Sequence, residues 1–454
     1  MSINGLLQMG RRSLMASESA MQTTGQNISG AGVEGFSRRR IALSGVKTPL
    51  GGVRMPAAPG TFRGAGVAVS GYERLRDGLL DAAARAARAG LGAAEEELRA
   101  GMVLEGAFAD GPASLGASLR AFWNAFADAA DAPTDLGVRG VLLQRADALA
   151  GAFHRYDAAL GRLADDTRGA LGQTVEQFNT LVGEVARLNE AAASARAAGA
   201  PDFAAEDERD RALRTLAELA PLRVDAEADG SVTVSVQGMR VVQGREARLL
   251  EQVGPPDPAD AVRFRGTGVP FRPGSEGGGR LGGQLRTLGE TIPAARGALD
   301  ALATRLTQEV NAAHGAGYGL SGATGLAFFD PAGTSAAAFR RSPDLTDPRD
   351  VALAGQPGET GDATVALALA GLRAGFEEEA AALTAALGRG VATARAATAA
   401  GSALVAHADA LAESVAAVSL DEEMTRLIQY QQSYAASARV ISAAQSMFDT
   451  LLTL

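Results

Sequence analysis

The sequence predicts a mainly α-helical protein with a small inserted β domain, an α+β multidomain chain. It should form an elongated helical-bundle rod with discontinuous domains and coiled-coil-like N- and C-terminal helices. Three observations predict this. Apolar residues recur every seven positions near the C-terminus, helical spacing covers most of the interior, and one short region near residue 222 switches to strict alternation. At roughly 100–200 residues per domain, 454 residues suggest two to four units.

At the N-terminus, Leu7, Leu14, Met21 and Ile28 are spaced by seven. Ile3, Gly10, Ser17 and Thr24 complete a 4-3 pattern, but they are mostly small or polar, so this stripe is too thin to stand alone. The helix should end near Gly30-Ala31-Gly32. Residues 44–71 are Gly/Pro-rich, with Pro56-Ala-Ala-Pro-Gly, and read as an extended connector. From 72 to 220 the pattern is helical: Leu80, Ala84, Ala87, Leu91, Ala94, Leu98 and Met102 share one face, and Val175, Phe178, Val182, Val185 and Leu188 another. Pro133 breaks one helix from the next.

At 222 the period changes to two. Leu222, Val224 and Ala226 alternate, Asp229-Gly230 supplies a turn, and Val232, Val234 and Val236 alternate again, a hairpin signature. Val241-Val242 and Arg263–Arg265 add short strands, with Gly/Pro turns at 254–258 and 270–283. Helical pattern returns over 285–313 and 362–415. The expected domains are therefore 1–43 with 415–454, the connector 44–71, a rod of 72–220 with 284–414, and a β-rich insert at 221–283.

The C-terminal signal is the sharpest. Leu420, Leu427, Tyr434, Ile441 and Phe448 recur every seven residues, and Met424, Gln431, Ala438, Gln445 and Leu452 fall four after each. Five repeats predict a coiled-coil-like helix. Asp421, Glu422 and Glu423 sit at its start, where carboxylates complement the helix dipole. Its expected partner is the N-terminal stripe.

Composition narrows the function. The chain has no cysteine, which removes thiolate nucleophiles, disulfides and Cys-ligated metals. His154, His314 and His407 lie far apart without metal-ligand spacing, and no acidic loop has the calcium-binding pattern. Lys47 is the only lysine, so no Gly-Lys-Ser/Thr phosphate loop exists. A net charge of −9 without a basic block argues against nucleic acid as a partner. No run of eighteen apolar residues is free of charge, so no membrane span is expected, and Met1-Ser-Ile-Asn-Gly shows no cleavable signal peptide. No catalytic, cofactor or metal site is expected; the chain reads as structural, not as an enzyme.

Val418-Ser-Leu-Asp-Glu-Glu-Met-Thr-Arg-Leu-Ile with Met447-Phe448-Asp449 at the C-terminus, and Asn27-Ile28-Ser29 with Gly35-Phe36-Ser37-Arg38-Arg39 at the N-terminus, resemble the bacterial flagellar axial family, which includes the hook-associated (FlgK-type) junction proteins. These terminal motifs are shared with hook and rod proteins. The interior segments Asp207-Glu-Arg-Asp-Arg, Gly279-Arg-Leu-Gly-Gly-Gln-Leu, Asn311-Ala-Ala-His and Phe328-Phe329 resemble the junction proteins specifically. Departures stand at Gly30, Gly32, Glu34 and Ala417. The stretch after Phe329 leaves little room for an outer variable domain.

The resemblance implies a structural subunit at the hook–filament junction of the extracellular flagellum, self-associating in a ring between hook protein and a second junction protein. It implies export by the flagellar type III system without a cleavable signal, and a cytoplasmic export chaperone on the C-terminal helix. Another axial protein (hook, rod or second junction protein) and a secreted helical adhesin are the alternatives. The terminal stripes are either an intramolecular pair or a subunit-packing device. On the second reading Leu7, Leu14, Met21, Ile28, Leu420, Met424, Leu427, Tyr434, Ile441, Phe448 and Leu452 form the assembly interface. Residues 1–43 and 415–454 are then disordered in the free chain. Arg38 and Arg39 are expected to meet carboxylates such as Asp421–Glu423 across that interface.

Overall fold

The computed structural model describes residues 3–47, 64–109, 111–112, 114–254, 261–272 and 278–452. Helix α1 spans Ile3–Gly30 and leads into an antiparallel ribbon of β1 (Arg39–Lys47) and β2 (Gly64–Arg74). The helices α2 (Gly78–Ala107), α3 (Leu115–Asp131), α4 (Leu136–Ala197) and α5 (Phe203–Leu219) follow. Side chains at their starts accept the free N–H groups: Asp77, Ser114, Asp135 and Asp202 cap α2, α3, α4 and α5. The 62 residues of α4 form the backbone of the rod, about 93 Å at 1.5 Å per residue.

The β insert consists of a four-stranded antiparallel sheet in the order β3 (Arg223–Ala226), β4 (Val232–Val236), β5 (Met239–Gln243), β6 (Glu246–Ala247), and a pair β7 (Leu250–Gln252) and β8 (Val262–Phe264). Asp229 accepts from the Ser231 N–H at 2.9 Å and Gly230 has φ +89°, so the β3–β4 turn lies where Asp229-Gly230 placed it. The rod resumes with α6 (Gly279–Arg286), a π-helical turn at Thr287–Thr291 and α7 (Ile292–Gly315). An irregular stretch then leads to α8 (Thr364–Gly371), α9 (Arg373–Ala416) and α10 (Leu420–Leu452).

Three features differ from the sequence reading. The connector is a β ribbon at both described ends, and its strands begin before 44 and run beyond 71. Glycines at 45, 64, 66 and 71 dilute the alternation that would have revealed it; the Pro56 motif lies outside the described residues. α6 begins at Gly279, inside the expected β insert, because a glycine-rich segment carries no helical propensity and is helical here by packing. Residues 316–363, outside the segments expected to be helical, form no α-helix and only one 3-10 turn at Pro348–Asp350, with Phe328, Phe329, Phe339, Leu345, Val351 and Leu353 buried. The terminal segments, expected to lack order in the free chain, are paired helices.

The interior motifs explain themselves in packing. A Cβ on Gly279 would lie 2.4 Å from the Leu219 carbonyl, one on Gly283 2.7 Å from the Ala93 oxygen, and one on Gly92 2.3 Å from the Glu218 oxygen. Backbones of α2, α5 and α6 therefore touch, which only glycine permits. Asn311 and His314, one turn apart on α7, grip the irregular stretch. Asn311 Oδ1 accepts from the Phe328 and Phe329 N–H groups, both at 2.8 Å. His314 Nδ1 lies 2.8 Å from the Leu326 carbonyl and Nε2 accepts from the Ala352 N–H at 2.9 Å. That pattern needs the neutral ring with its proton on Nδ1. Burial lowers the His314 pKa below its ordinary value, the Leu326 bond works against that shift, and nearby Arg139 adds to it.

Two tests follow. Gly92→Ala should destabilise the chain by about 1–3 kcal/mol, the range for forced overpacking, measured by chemical denaturation. Neutral His314 contributes stability that is complete above the unfolded imidazole value near 6.5 and is lost as pH falls towards the lower folded value. His314→Asn should flatten the fall in stability as pH drops below about 6.5; an unchanged profile would assign that pH dependence elsewhere.

Candidate assembly interface

α1 and α10 run antiparallel. Gly10 lies against Ile441, Ser437 Oγ donates to Ser13 Oγ at 2.9 Å, Ser17 Oγ donates to Ser433 Oγ at 3.3 Å, and Asn27 meets Glu423. Small residues set the approach: a Cβ on Gly10 would be 2.6 Å from the Ile441 side chain. On α1 the buried positions are Gly10, Ala16, Ser17, Ala20, Thr23, Thr24, Asn27 and Gly30; on α10 they are Glu423, Ser437 and Ala444.

The large apolar residues are distributed differently from the sequence expectation. Leu7, Leu14, Met21, Ile28, Leu427 and Ile441 are half-buried. Leu420, Met424, Tyr434 and Phe448 are exposed, Met424 at 48% and Phe448 at 45%; the Leu452 side chain lies outside the described residues. The companion positions on α10 thus fall three, not four, after the heptad leaders: Glu423, Tyr430, Ser437 and Ala444. A 3.6-residue turn allows either offset. Two helices this close select the row of small residues, and the bulkier row of Met424 and Gln431 faces outwards.

One end of the pair is fastened by charge. Asn27 Nδ2 donates to the Arg39 carbonyl at 2.8 Å and to Glu423 Oε2 at 2.9 Å, while its Oδ1 accepts the Arg39 N–H at 2.9 Å. Arg38 donates to Glu423 Oε1 at 2.9 Å and to Glu422 Oε2 at 2.6 Å. Burial opposes the charge on Arg38, but hydrogen bonds to Glu422 and Glu423, then their charges, hold its pKa above the ordinary value. The Arg38 hydrogen bond holds Glu422 below its ordinary value. The carboxylate pairing expected between subunits is therefore made within one chain, because β1 leaves α1 directly beside the start of α10. Arg39 turns the other way, to Asp207 at 3.4 Å, with its guanidinium over Phe36 and Phe203.

A second ionic hub joins the ribbon to the rod. Arg74 on β2 meets Glu206 at 2.9 Å and Asp207 at 2.8 Å, and also Asp210; Arg76 meets Asp210 at 2.6 Å and Asp81. Burial raises the Asp210 pKa, but Arg74 and Arg76 outweigh it, so the carboxyl titrates below its usual range. The Asp207-x-Arg209-Asp210 motif is thus the anchor plate for the terminal unit. Arg209 itself turns inwards to Asn189 at 3.2 Å and the Gly230 carbonyl at 2.8 Å, fixing the β insert.

Sequence reasoning missed Asn27, Glu423, Arg74 and Asp210 as a working set. The Asn27 side-chain amide bridges α1 to Arg39 of β1 and to Glu423 of α10. The available signal was a carboxylate, Glu423, three residues after a heptad leader, where an apolar residue belongs. Among the described residues no group of three or more His, Asp or Glu side chains is placed to hold a metal ion.

Comparison with known proteins gives this geometry its class. Residues 412–454 match the family "Flagellar basal body rod FlgEFG protein C-terminal". Residues 102–329, half of the chain, match "Flagellar hook-associated protein FlgK helical domain", and the chain belongs to that hook-associated protein family. Flagellar hook-associated protein 1 of Bacillus subtilis is 24% identical over 98% of this chain and 97% of its own length. The Salmonella typhimurium protein of that name is 27% identical over 72% of this chain, a match spanning 59% of its own length. A solved structure, the flagellar hook junction protein FlgK from Burkholderia pseudomallei, aligns at a TM-score of 0.48 and 24% identity, covering 54% of this chain and 46% of that one.

Glu423→Ala would leave Arg38 and Asn27 without their buried acceptor. About 3 kcal/mol of local stability at the foot of α10 should be lost, from the cost of breaking a buried pair discounted for the partial exposure of Arg38. Hydrogen exchange across Leu420–Gln432 reads this directly; unchanged protection there would remove Glu423 from its anchoring role.

Proposed function

We propose that this chain is the junction subunit between hook and filament, assembling in a ring through the outward faces of its terminal helices. The observation that carries the reading is the division of labour on α10. Glu423, Ser437 and Ala444 are buried against α1, with Leu427 and Ile441 half-buried beside them, while Leu420, Met424, Ile428, Tyr434, Met447 and Phe448 are exposed. An apolar stripe of that length on a helix held by so thin an inner contact is a surface to be covered by neighbours. The helical run Thr364–Thr450 adds to it. By length and composition this run contains an eighteen-residue window apolar enough to cross a membrane, with mean hydropathy 1.4 and 6% of it buried. The sequence reading had found no such span; in the present proposal this apolar surface meets protein.

Hook protein on one side and the second junction protein on the other are the partners this reading implies, and the flagellar type III system is the route outside. A cytoplasmic chaperone covering α10 before export fits the same surface, since an exposed amphipathic helix is the substrate of a helix-in-groove partner. The absence of cysteine from the sequence suits a chain moved from a reducing to an oxidising compartment.

Met424→Glu and Phe448→Glu provide the test. Because both side chains are exposed, at 48% and 45%, each should change the stability of the free chain by less than about 0.5 kcal/mol. Each should abolish sedimentable assemblies and filament attachment. Normal assembly by both variants would exclude the outward face of α10 as the interface.

A further inference from the structure

The chain crosses twice between the rod and the terminal pair, and both crossings border one cleft of about 400 Å3. Its walls are the α1–β1 turn (Gly30–Ser37), the end of α9 with the α9–α10 link, and the facing sides of α2 and α5. The Arg38 N–H donates to the Ala416 carbonyl at 2.9 Å and ties the two crossings together.

Four guanidiniums line the cleft. Two are committed: Arg76 to Asp81 and Asp210, and Arg88 to Asp409 through two bonds of 2.7 Å. Arg85 on α2 and Arg214 on α5 form no ion pair or hydrogen bond among the described residues, and each has its Nε buried without an acceptor. Two carboxylates, Glu34 and Glu413, line the same cleft and also form no ion pair there. The unpaired cations belong to the rod and the unpaired anions to the crossings.

The register matches them. α2 and α9 run antiparallel, with Arg88 facing Asp409 and Leu91 against Gly401, so one turn further on Glu413 comes level with Arg85. Gly35 stands against both Arg211 and Arg214: a Cβ there would be 2.9 Å from Arg211 Nε and 3.1 Å from Arg214 Nη2, so Glu34, one residue earlier, lies beside two guanidiniums, of which Arg214 is the one that lines the cleft. We propose that Arg85–Glu413 and Arg214–Glu34 form a latch, open in the free chain, that closes on assembly and sets the angle between terminal pair and rod. This rests on the assembly reading above.

The electrostatics favour closure over capture of a free anion. Burial lowers the pKa of Arg85 and Arg214, and Arg76 and Arg88 crowd Arg214 further, so both cations gain from a close counter-charge. The nearest acids, Asp81, Asp210 and Asp409, are already bonded to Arg76, Arg74 and Arg88. Five carboxylates line the cleft (Glu34, Asp81, Asp210, Asp409, Glu413), and an incoming anion would meet all of them.

The full-length chain with Glu34→Gln and Glu413→Gln tests the latch, beside a charge swap of Arg214→Glu with Glu34→Arg. Open pairs contribute nothing to the free chain, so its melting temperature should stay within about 1 °C of wild type. The yield of sedimentable assembly at low salt should fall about fivefold per lost pair, and the swap should recover at least half of it. Lower melting of the Gln variants would show the pairs already closed in the free chain and overturn the latch, as would unchanged assembly or a swap that restores nothing. Wild type runs as the control: if it fails to assemble, the assembly reading falls and the latch with it, whereas variants that match an assembling wild type defeat the latch alone.

Discussion

Glu423 is the residue on which the two ends of the chain meet. It is a carboxylate with only 1% of its surface exposed, held by Arg38 and Asn27 from the far end of the sequence. A buried charge is tolerated only when its partners are fixed, so its position dictates where α1 ends, where β1 leaves it and where α10 begins. Arg39 and Arg74 carry the constraint onward to Glu206, Asp207 and Asp210 on α5, and so into the rod. Without that chain of charges the terminal pair would rest on serines, a glycine and half-buried apolar side chains such as Leu14 and Ile441, which contribute little burial.

The weakness of that inner contact shapes the rest. Close approach through Gly10, Ser13, Ser17, Ser433 and Ser437 leaves several larger side chains of α10, among them Leu420, Met424, Ile428 and Phe448, with little cover. They lie outside, exposed in a single chain. The rod shows the opposite solution: Phe122, Trp123, Phe126, Phe328 and Phe329 are buried together, and the long α4 is covered over most of its length. One chain thus combines a finished core with an unfinished end.

Much of this was legible in the sequence. The helical rod, the hairpin at Asp229-Gly230 and the terminal helices follow from period and turn chemistry, since those signals are local. The ribbon was hidden because its glycines break the alternation. The inner row of α10 was hidden for a more instructive reason: the eye follows Leu, Met and Phe, whereas a helix pair this tight is specified by Ser and Ala. The Asp-x-Arg-Asp motif was visible by resemblance, but its work depends on Arg74 and Arg76, more than a hundred residues away, which no local pattern could pair with it.

The account stands on the outward face of α10 being bare in the free chain and covered after assembly. Hydroxyl-radical footprinting of the methionines measures this most directly, with half-buried Met21 as the internal reference. Met424 and Met447 should oxidise readily in the monomer and become protected in assembled material, while Met21 changes little. Equal oxidation of Met424 and Met447 in both states would contradict the account.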